Sequence, residues 1–229
     1  MNQIGQLNEQ PLHQALKRYY AGDEGQIEVR LGGYVIDVVL GNQLVEIQTG
    51  NFSSIRRKIK DLVQDYRVRL IYPVAVEKWI IKVPKLGQGD NPTRRKSPKR
   101  GREIEVFKEL VSFPELMSDS NFSLEIALIQ EEQVREQHPG RYWRQNGWKT
   151  TERRLVNVVE EKAYHVPSDL VALLPETLPQ QFTTVELAEE MRISRQLAQK
   201  MAYCLRQMDV FDVVGKRDRS ILYMLGDNS

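Results

Sequence analysis

Cysteine is nearly absent: Cys204 stands alone in a chain of 229 residues. One thiol cannot close an internal disulfide or build a cysteine-based zinc site. It fits a reducing compartment, so a cytoplasmic location is expected. Long apolar runs are missing too. No stretch approaches the roughly 20 residues that span a bilayer, and the opening MNQIGQLNEQ lacks both the basic and the apolar part of a signal peptide. No membrane association and no export are therefore expected. An excess of one charge is also lacking: 33 basic and 31 acidic residues leave a formal net charge of +2. A polyanion site must then come from local clustering. His13, His138 and His165 are scattered without metal-ligand spacing on a helix and are expected to be structural. Gly87 and Gly89 do not open an apolar helix as a phosphate loop would, and Ser97 has no base to activate it. What is present is 41% hydrophobic and 28% charged residues, the make-up of a folded chain long enough for a medium domain and a small one.

Residues 10–83 alternate helix and strand signals. Leu12, Leu16 and Tyr19 sit at helical spacing, and Gly22 ends that helix. Three short β-rich runs follow, Gln26 to Leu31, Tyr34 to Leu40 and Leu44 to Thr49, joined by the turns Gly32-Gly33 and Gly41-Asn42. Ser53 to about Tyr66 predicts a helix with Ile55, Ile59, Leu62, Val63 and Tyr66 on one face. Its other face carries Arg56, Arg57, Lys58 and Lys60. Val68 to Val76 is nearly all apolar, as in a buried central strand, and Trp79 to Val83 reads as one more strand.

From 84 to 163 the signals weaken. Residues 85–102 read as a basic loop containing Arg94, Arg95, Lys96, Lys99, Arg100 and Arg102. Such a loop either lies along a phosphate backbone or is a solvated surface loop. A helix is expected from Glu103 to Leu110, a strand from Ser123 to Gln130, and a hairpin from Leu155 to Val159 and Ala163 to Val166. Tyr142, Trp143, Arg144 and Trp148 form an aromatic and basic patch, suited to stacking on unpaired bases or, more commonly for tryptophan, to core packing.

From 167 onward prolines 167, 175 and 179 punctuate the chain. Ser168 is placed to cap a short helix through Leu174. Thr183 and Glu186 have capping-box spacing before a helix from Val185 to Met191. Ser194 is placed to cap another from Arg195 to Met208, with Ala198, Met201, Ala202, Leu205 and Met208 as its apolar stripe. VFDVVG, KRDR and SILYML then read as strand, basic turn and strand. Three helices and a β-hairpin follow the winged-helix order.

The sharpest chemical signal is Asp37 on the second β run and Glu46 on the third. A hairpin between them brings the two carboxylates together on adjacent antiparallel strands, with Gln48 two residues further on. A carboxylate inside Val35-Ile36 and Val38-Val39-Leu40 is costly unless it is paired or bound to a metal, and two converging carboxylates suit Mg²⁺. The alternative is a strand pair with polar residues at a sheet edge.

YVIDVV followed by LVEIQTG resembles the core of the PD-(D/E)XK nuclease superfamily, the restriction-endonuclease-like fold. That core orders helix, three antiparallel strands, helix and strand, as do residues 10–76. The resemblance covers about a third of the chain through a short, degenerate motif. It implies that Asp37 and Glu46 ligate Mg²⁺, or Mn²⁺ in its place, with the Ile47 carbonyl as a further ligand. The family's lysine falls on Gln48, which can orient a water but carries no charge; Lys58 or Lys60 on the next helix would have to supply it. Ile36 stands where the family has proline. An additional upstream acid falls on Glu28, with Glu24 second.

The expectation is an α/β chain with two domains. Residues 1–166 would form a restriction-endonuclease-like mixed sheet flanked by helices, and 167–229 a winged helix. The implied function is metal-dependent DNA endonuclease; the alternative is a catalytically inactive nuclease-like nucleic-acid-binding regulator, which Gln48 favours, and a third reading is a protein-interaction module. Arg195, Gln196, Gln199 and Lys200 would enter the major groove, the first three nearest base edges, and Lys216, Arg217 and Arg219 at the wing would touch phosphates, unless that helix face is simply solvated. A homodimer would let two sites cut two strands.

Overall fold

A computed structural model describes residues 10–84, 91–137 and 147–226. It begins with α1 (Pro11–Ala21), which Pro11 opens at its first turn and Gly22, at φ 53°, closes. Leu12, Leu16 and Tyr20 recur every fourth residue and are buried. Tyr19, read from sequence as part of that stripe, is 48% exposed; Tyr20 takes its place. Then come β1 (Gln26–Leu31), β2 (Tyr34–Leu40) and β3 (Gln43–Ile47), an antiparallel meander. A 3-10 turn, Phe52–Ile55, leads into α2 (Arg56–Leu62).

β4 (Arg67–Val83) returns parallel to β3. It is one continuous strand across both segments expected separately, with an irregularity between Ala75 and Glu77. Proline is tolerated within it for a local reason. The Ile71 carbonyl accepts from Gln48 N on the β3 side, so position 73 also faces that side, beyond Ile47, where β3 has ended. The amide hydrogen that Pro73 lacks would have had no strand to meet there.

The basic stretch is not wholly a loop. Thr93–Lys96 form β5, antiparallel to β4, because Arg94 and Lys96 lie over the Trp79 ring and pair with Glu132 and Glu77. Gly101 then donates to the Ala75 carbonyl at 2.8 Å. A Cβ there would meet Val74 Cγ1 at 2.7 Å, so only glycine allows this close approach. A 3-10 turn (Glu103–Val106), α3 (Phe107–Leu110) and a second 3-10 turn (Pro114–Ser118) precede β6 (Phe122–Gln137), parallel to β4 and longer than expected. β7 (Trp148–Tyr164) is a single strand antiparallel to β6. The expected hairpin at 155–166 is thus a correction: no turn interrupts it, and irregularities absorb the break in alternation. The sheet order is β1-β2-β3-β4-β6-β7, with β5 on β4.

The rest of the chain forms a smaller unit. A 3-10 helix spans Pro167–Leu173, held by Asp169, whose carboxylate accepts from the His165 and Val166 amides; this replaces the expected Ser168 cap. β8 (Gln181–Phe182), α4 (Thr184–Glu190), α5 (Arg195–Gln207), β9 (Phe211–Arg217) and β10 (Ser220–Leu225) follow. The Thr183–Glu186 capping box and the Ser194 cap are both present. The second sheet is ordered β8-β10-β9.

The architecture is α/β: a mixed, largely antiparallel sheet flanked by helices. α1 covers one face over Val38, Val45, Ile47, Ile71, Ala127 and Ile129. On the other face Leu44, Leu70, Phe107, Phe113 and Leu124 share one apolar cluster with Leu187, Ala198 and Met201 of the smaller unit. The two units are therefore joined by a common core. Among the described residues no helix is long and apolar enough to cross a membrane.

Candidate functional site

β2 and β3 pair Val38 with Val45 and Val39 with Leu44, which puts Asp37 opposite Glu46 one step on. There the ladder opens. The Ile47 amide donates to Asp37 Oδ2 at 2.9 Å instead of to a strand partner. His13, from α1, brings Nε2 to 2.9 Å from the Ile47 carbonyl and 3.2 Å from Asp37 Oδ2. A carbonyl oxygen only accepts, so Nε2 carries the hydrogen. From the opposite layer α2 sends Lys58 to Glu46 Oε1 at 2.5 Å, while its ammonium donates to the Val35 carbonyl. The contact with Glu46 is electrostatic: Oε1 is fully buried and lacks an aligned hydrogen bond.

These surroundings split the two carboxyls. Burial pushes Glu46 up, and the Asp37 charge adds to it; Lys58 and the Asp37 backbone pull it back only partly, leaving it at about 7. Burial would also raise Asp37, but the hydrogen bond and charge of His13, the Ile47 amide and Lys58 outweigh it and hold that carboxyl below its usual range. The site therefore has a standing carboxylate beside a group that ionises near neutrality. A positive ion there would favour ionisation of both.

The other expected site residues fall as follows. Glu28 has φ 59°. It stands across from Asp37, in the gap between the pairs Ile27–Val38 and Val29–Ile36, and Lys17 reaches its carboxylate at 2.6 Å. Gln48 Nε2 donates to the Gly50 and Asn51 carbonyls at 2.6 and 3.2 Å. Its amide therefore shapes the turn that starts α2 and so sets where Lys58 emerges. The Ile47 carbonyl lies against His13. Lys60 pairs with Glu115, as does Arg56, so Lys58 is the helix lysine that reaches the carboxylates. His13, expected to be structural, was missed because only the docking of α1 brings it beside Asp37.

In the smaller unit Arg195, Gln196 and Gln199 are exposed on α5. Lys200 departs from expectation: it donates to the Lys108 carbonyl at 2.8 Å, because α5 packs on α3. Lys216 and Arg219 are exposed at the β9–β10 turn, whereas Arg217 is drawn onto Glu186 at 2.6 Å. Trp148 is half-buried with the Lys82 ammonium 4.4 Å over its ring. Tyr142, Trp143 and Arg144 lie outside the described residues, as do Gly87 and Gly89.

Residues 10–165 match the family described as a domain of unknown function, DUF8091. The chain belongs to the DUF8091 family. The DUF8091 match takes in α1 to β7, hence His13, Asp37, Glu46 and Lys58, and stops before the smaller unit. An uncharacterized protein of Treponema pallidum (strain Nichols) is 29% identical over 188 residues, covering 81% of this chain and 74% of its own length. No solved structure matches the chain.

Two carboxylates with a neighbouring carbonyl are a donor set that Mg²⁺ accepts when waters complete it; an ion there would share these atoms with Lys58 at Glu46 Oε1 and with His13 at Asp37 Oδ2 and the Ile47 carbonyl. Among the described residues no three side chains of His, Cys, Asp or Glu gather as a metal cage. The ion would therefore keep much of its water.

Proposed function

We propose that this chain is a metal-dependent endonuclease of the PD-(D/E)XK type acting on DNA phosphodiester bonds. The observation that carries the reading is the convergence of Asp37, Glu46 and Lys58 where β2 and β3 part. An acid pair with a lysine is what the resemblance calls for, and α2 supplies the cation that Gln48 cannot. The order helix, three antiparallel strands, helix and parallel strand supports the same fold. The winged-helix reading of 167–226 rests on the order short helix, strand, two helices and hairpin, with the last strand central in its sheet.

In this reading Asp37 and Glu46, with the Ile47 carbonyl, hold Mg²⁺ or Mn²⁺. The metal supplies charge neutralisation at the phosphate and a more acidic bound water. The chain does the rest. His13 Nε2–H fixes the Asp37 carboxylate and the Ile47 carbonyl in orientation. Lys58 places positive charge beside Glu46. Gln48 holds the turn that aims Lys58. Arg195, Gln196 and Gln199 face the bases, while Lys216 and Arg219 meet phosphates.

A second reading is a nuclease-like nucleic-acid-binding regulator that does not cut. It is favoured by the Gln48 amide being spent on the 50–51 turn and by Lys58 and His13 already facing the two acids. One assay separates the two. Linear, supercoiled and single-stranded DNA are incubated with the protein in Mg²⁺, Mn²⁺ or EDTA, beside Asp37→Ala and Glu46→Ala. Metal-dependent cutting lost in both variants supports the nuclease. No cutting, with salt-sensitive binding retained, supports the regulator.

A further inference from the structure

β7 is the last strand of the large sheet, and among the described residues nothing pairs with its outer side. A seventeen-residue edge strand is a template for another strand unless it is blunted. Thr151, Val156 and Val159 are the residues skipped in the ladder with β6, the last two flanking Asn157. Charged side chains on an edge are one usual protection, but Val156 and Val159 are 47% and 52% exposed there.

The charges around them are arranged as a mirror with inverted sign. Residues 152–162 read Glu-Arg-Arg-Leu-Val-Asn-Val-Val-Glu-Glu-Lys. Laid antiparallel on itself about Asn157, this segment sets Glu152 against Lys162, Arg153 against Glu161, Arg154 against Glu160, and Val156 against Val158. A slip of two residues sets Glu152 against Glu160, or Arg154 against Lys162. A parallel, in-register pairing sets every charge against its like. Arg153 is already held by the buried Glu131. Among the described residues Arg154 and Glu152 form a same-strand ion pair with each other, 51% and 40% exposed. Lys162 is held by Glu103 at 2.7 Å, which leaves Glu160, 3.6 Å from it and 54% exposed, weakly engaged. Arg154 and Glu160 can therefore exchange weak same-strand contacts for the cross-strand pair.

We infer that the β7 edge is a homodimer surface, on which a second copy of this chain adds its own β7 antiparallel about a two-fold axis at Asn157. The partner is selected by charge register, and the interface is isologous. The inference does not depend on whether the carboxylate site cuts.

Sedimentation and light scattering test it. The wild type is expected at twice the 26.6 kDa chain mass. Arg154→Glu and Glu160→Arg each set like charges together at two symmetric positions and should weaken self-association at least about tenfold. Mixing the two variants restores opposite charges at both positions and should recover the dimer at wild-type strength. Asn157→Cys should form an intermolecular disulfide under mild oxidation, since facing Cβ atoms on paired strands are close enough to bridge; the buried Cys204 stays silent. Circular dichroism confirms that each variant is folded. A monomeric wild type overturns the inference. So does a dimer that ignores both reversals, or one that the mixture does not restore.

Discussion

Two buried carboxylates on the same sheet are treated in opposite ways. Glu131, on β6, is fully buried. Its Oε2 accepts from Arg153 Nε and Nη2 at 2.9 and 2.7 Å, and its Oε1 meets Lys78 at 3.0 Å and accepts from Gln133 at 2.9 Å. Every lone pair faces a donor. Glu46, on β3, is nearly as buried, but it has a like charge opposite it, one lysine beside it and a buried oxygen with no aligned donor. Burial alone therefore does not mark a site. What sets Glu46 apart is a second acid opposite it and fewer donors around it than Glu131 has.

The largest expected effect that separates these clusters is on cleavage. Asp37→Ala or Glu46→Ala should reduce metal-dependent cutting about a thousandfold, whereas Glu131→Gln, assayed below its melting temperature, should change it only a few-fold. Equal losses from all three would erase the distinction. Stability should rank the other way. Glu131→Gln leaves Arg153 and Lys78 facing a neutral group and should cost about 3 kcal/mol in urea unfolding. Glu46→Gln removes a charge that is already uncomfortable and should cost less than about 1 kcal/mol.

Next in size is the pH dependence. The folded Glu46 carboxyl, at about 7, lies above its ordinary 4.5. Its contribution to stability is present below 4.5 and is lost as pH rises through 7. Between pH 6 and 8 this loss is about 1 kcal/mol, and Glu46→Gln should remove it from the measured profile. Asp37 has the opposite sign. Held below its ordinary 3.8, it contributes above that value, and the contribution is lost as pH falls through its lowered folded value. The smallest effect concerns the second sheet. Lys216→Ala with Arg219→Ala should reduce the log–log salt slope of DNA binding by about 2. Arg217→Ala should do less, because Glu186 already holds that guanidinium.

Much of the fold was readable because it follows local rules. The stripe of Leu12 and Leu16, the glycine stop at 22, the β-rich runs of β1 to β3 with their glycine turns and the caps at Thr183 and Ser194 are encoded within a few residues of where they act. So was the placement of Asp37 near Glu46, since a short hairpin leaves little choice of register. β7 was misread as a hairpin because bulges break its alternation, and a bulge is defined by the partner strand. β5 has no local strand signal, because its basic residues are neutralised by Glu77 and Glu132, far off in sequence.

The sequence by itself determined which residues make up the candidate site: two acids on neighbouring strands, a basic helix after them, and a C-terminal helix pair with a hairpin. Only the tertiary structure decided which cation and which histidine serve those acids. Lys58 and His13 come from opposite layers of the sheet. Their side chains meet Glu46 and Asp37 because two separate apolar faces dock α1 and α2 on it, and docking depends on packing between segments that no local pattern records.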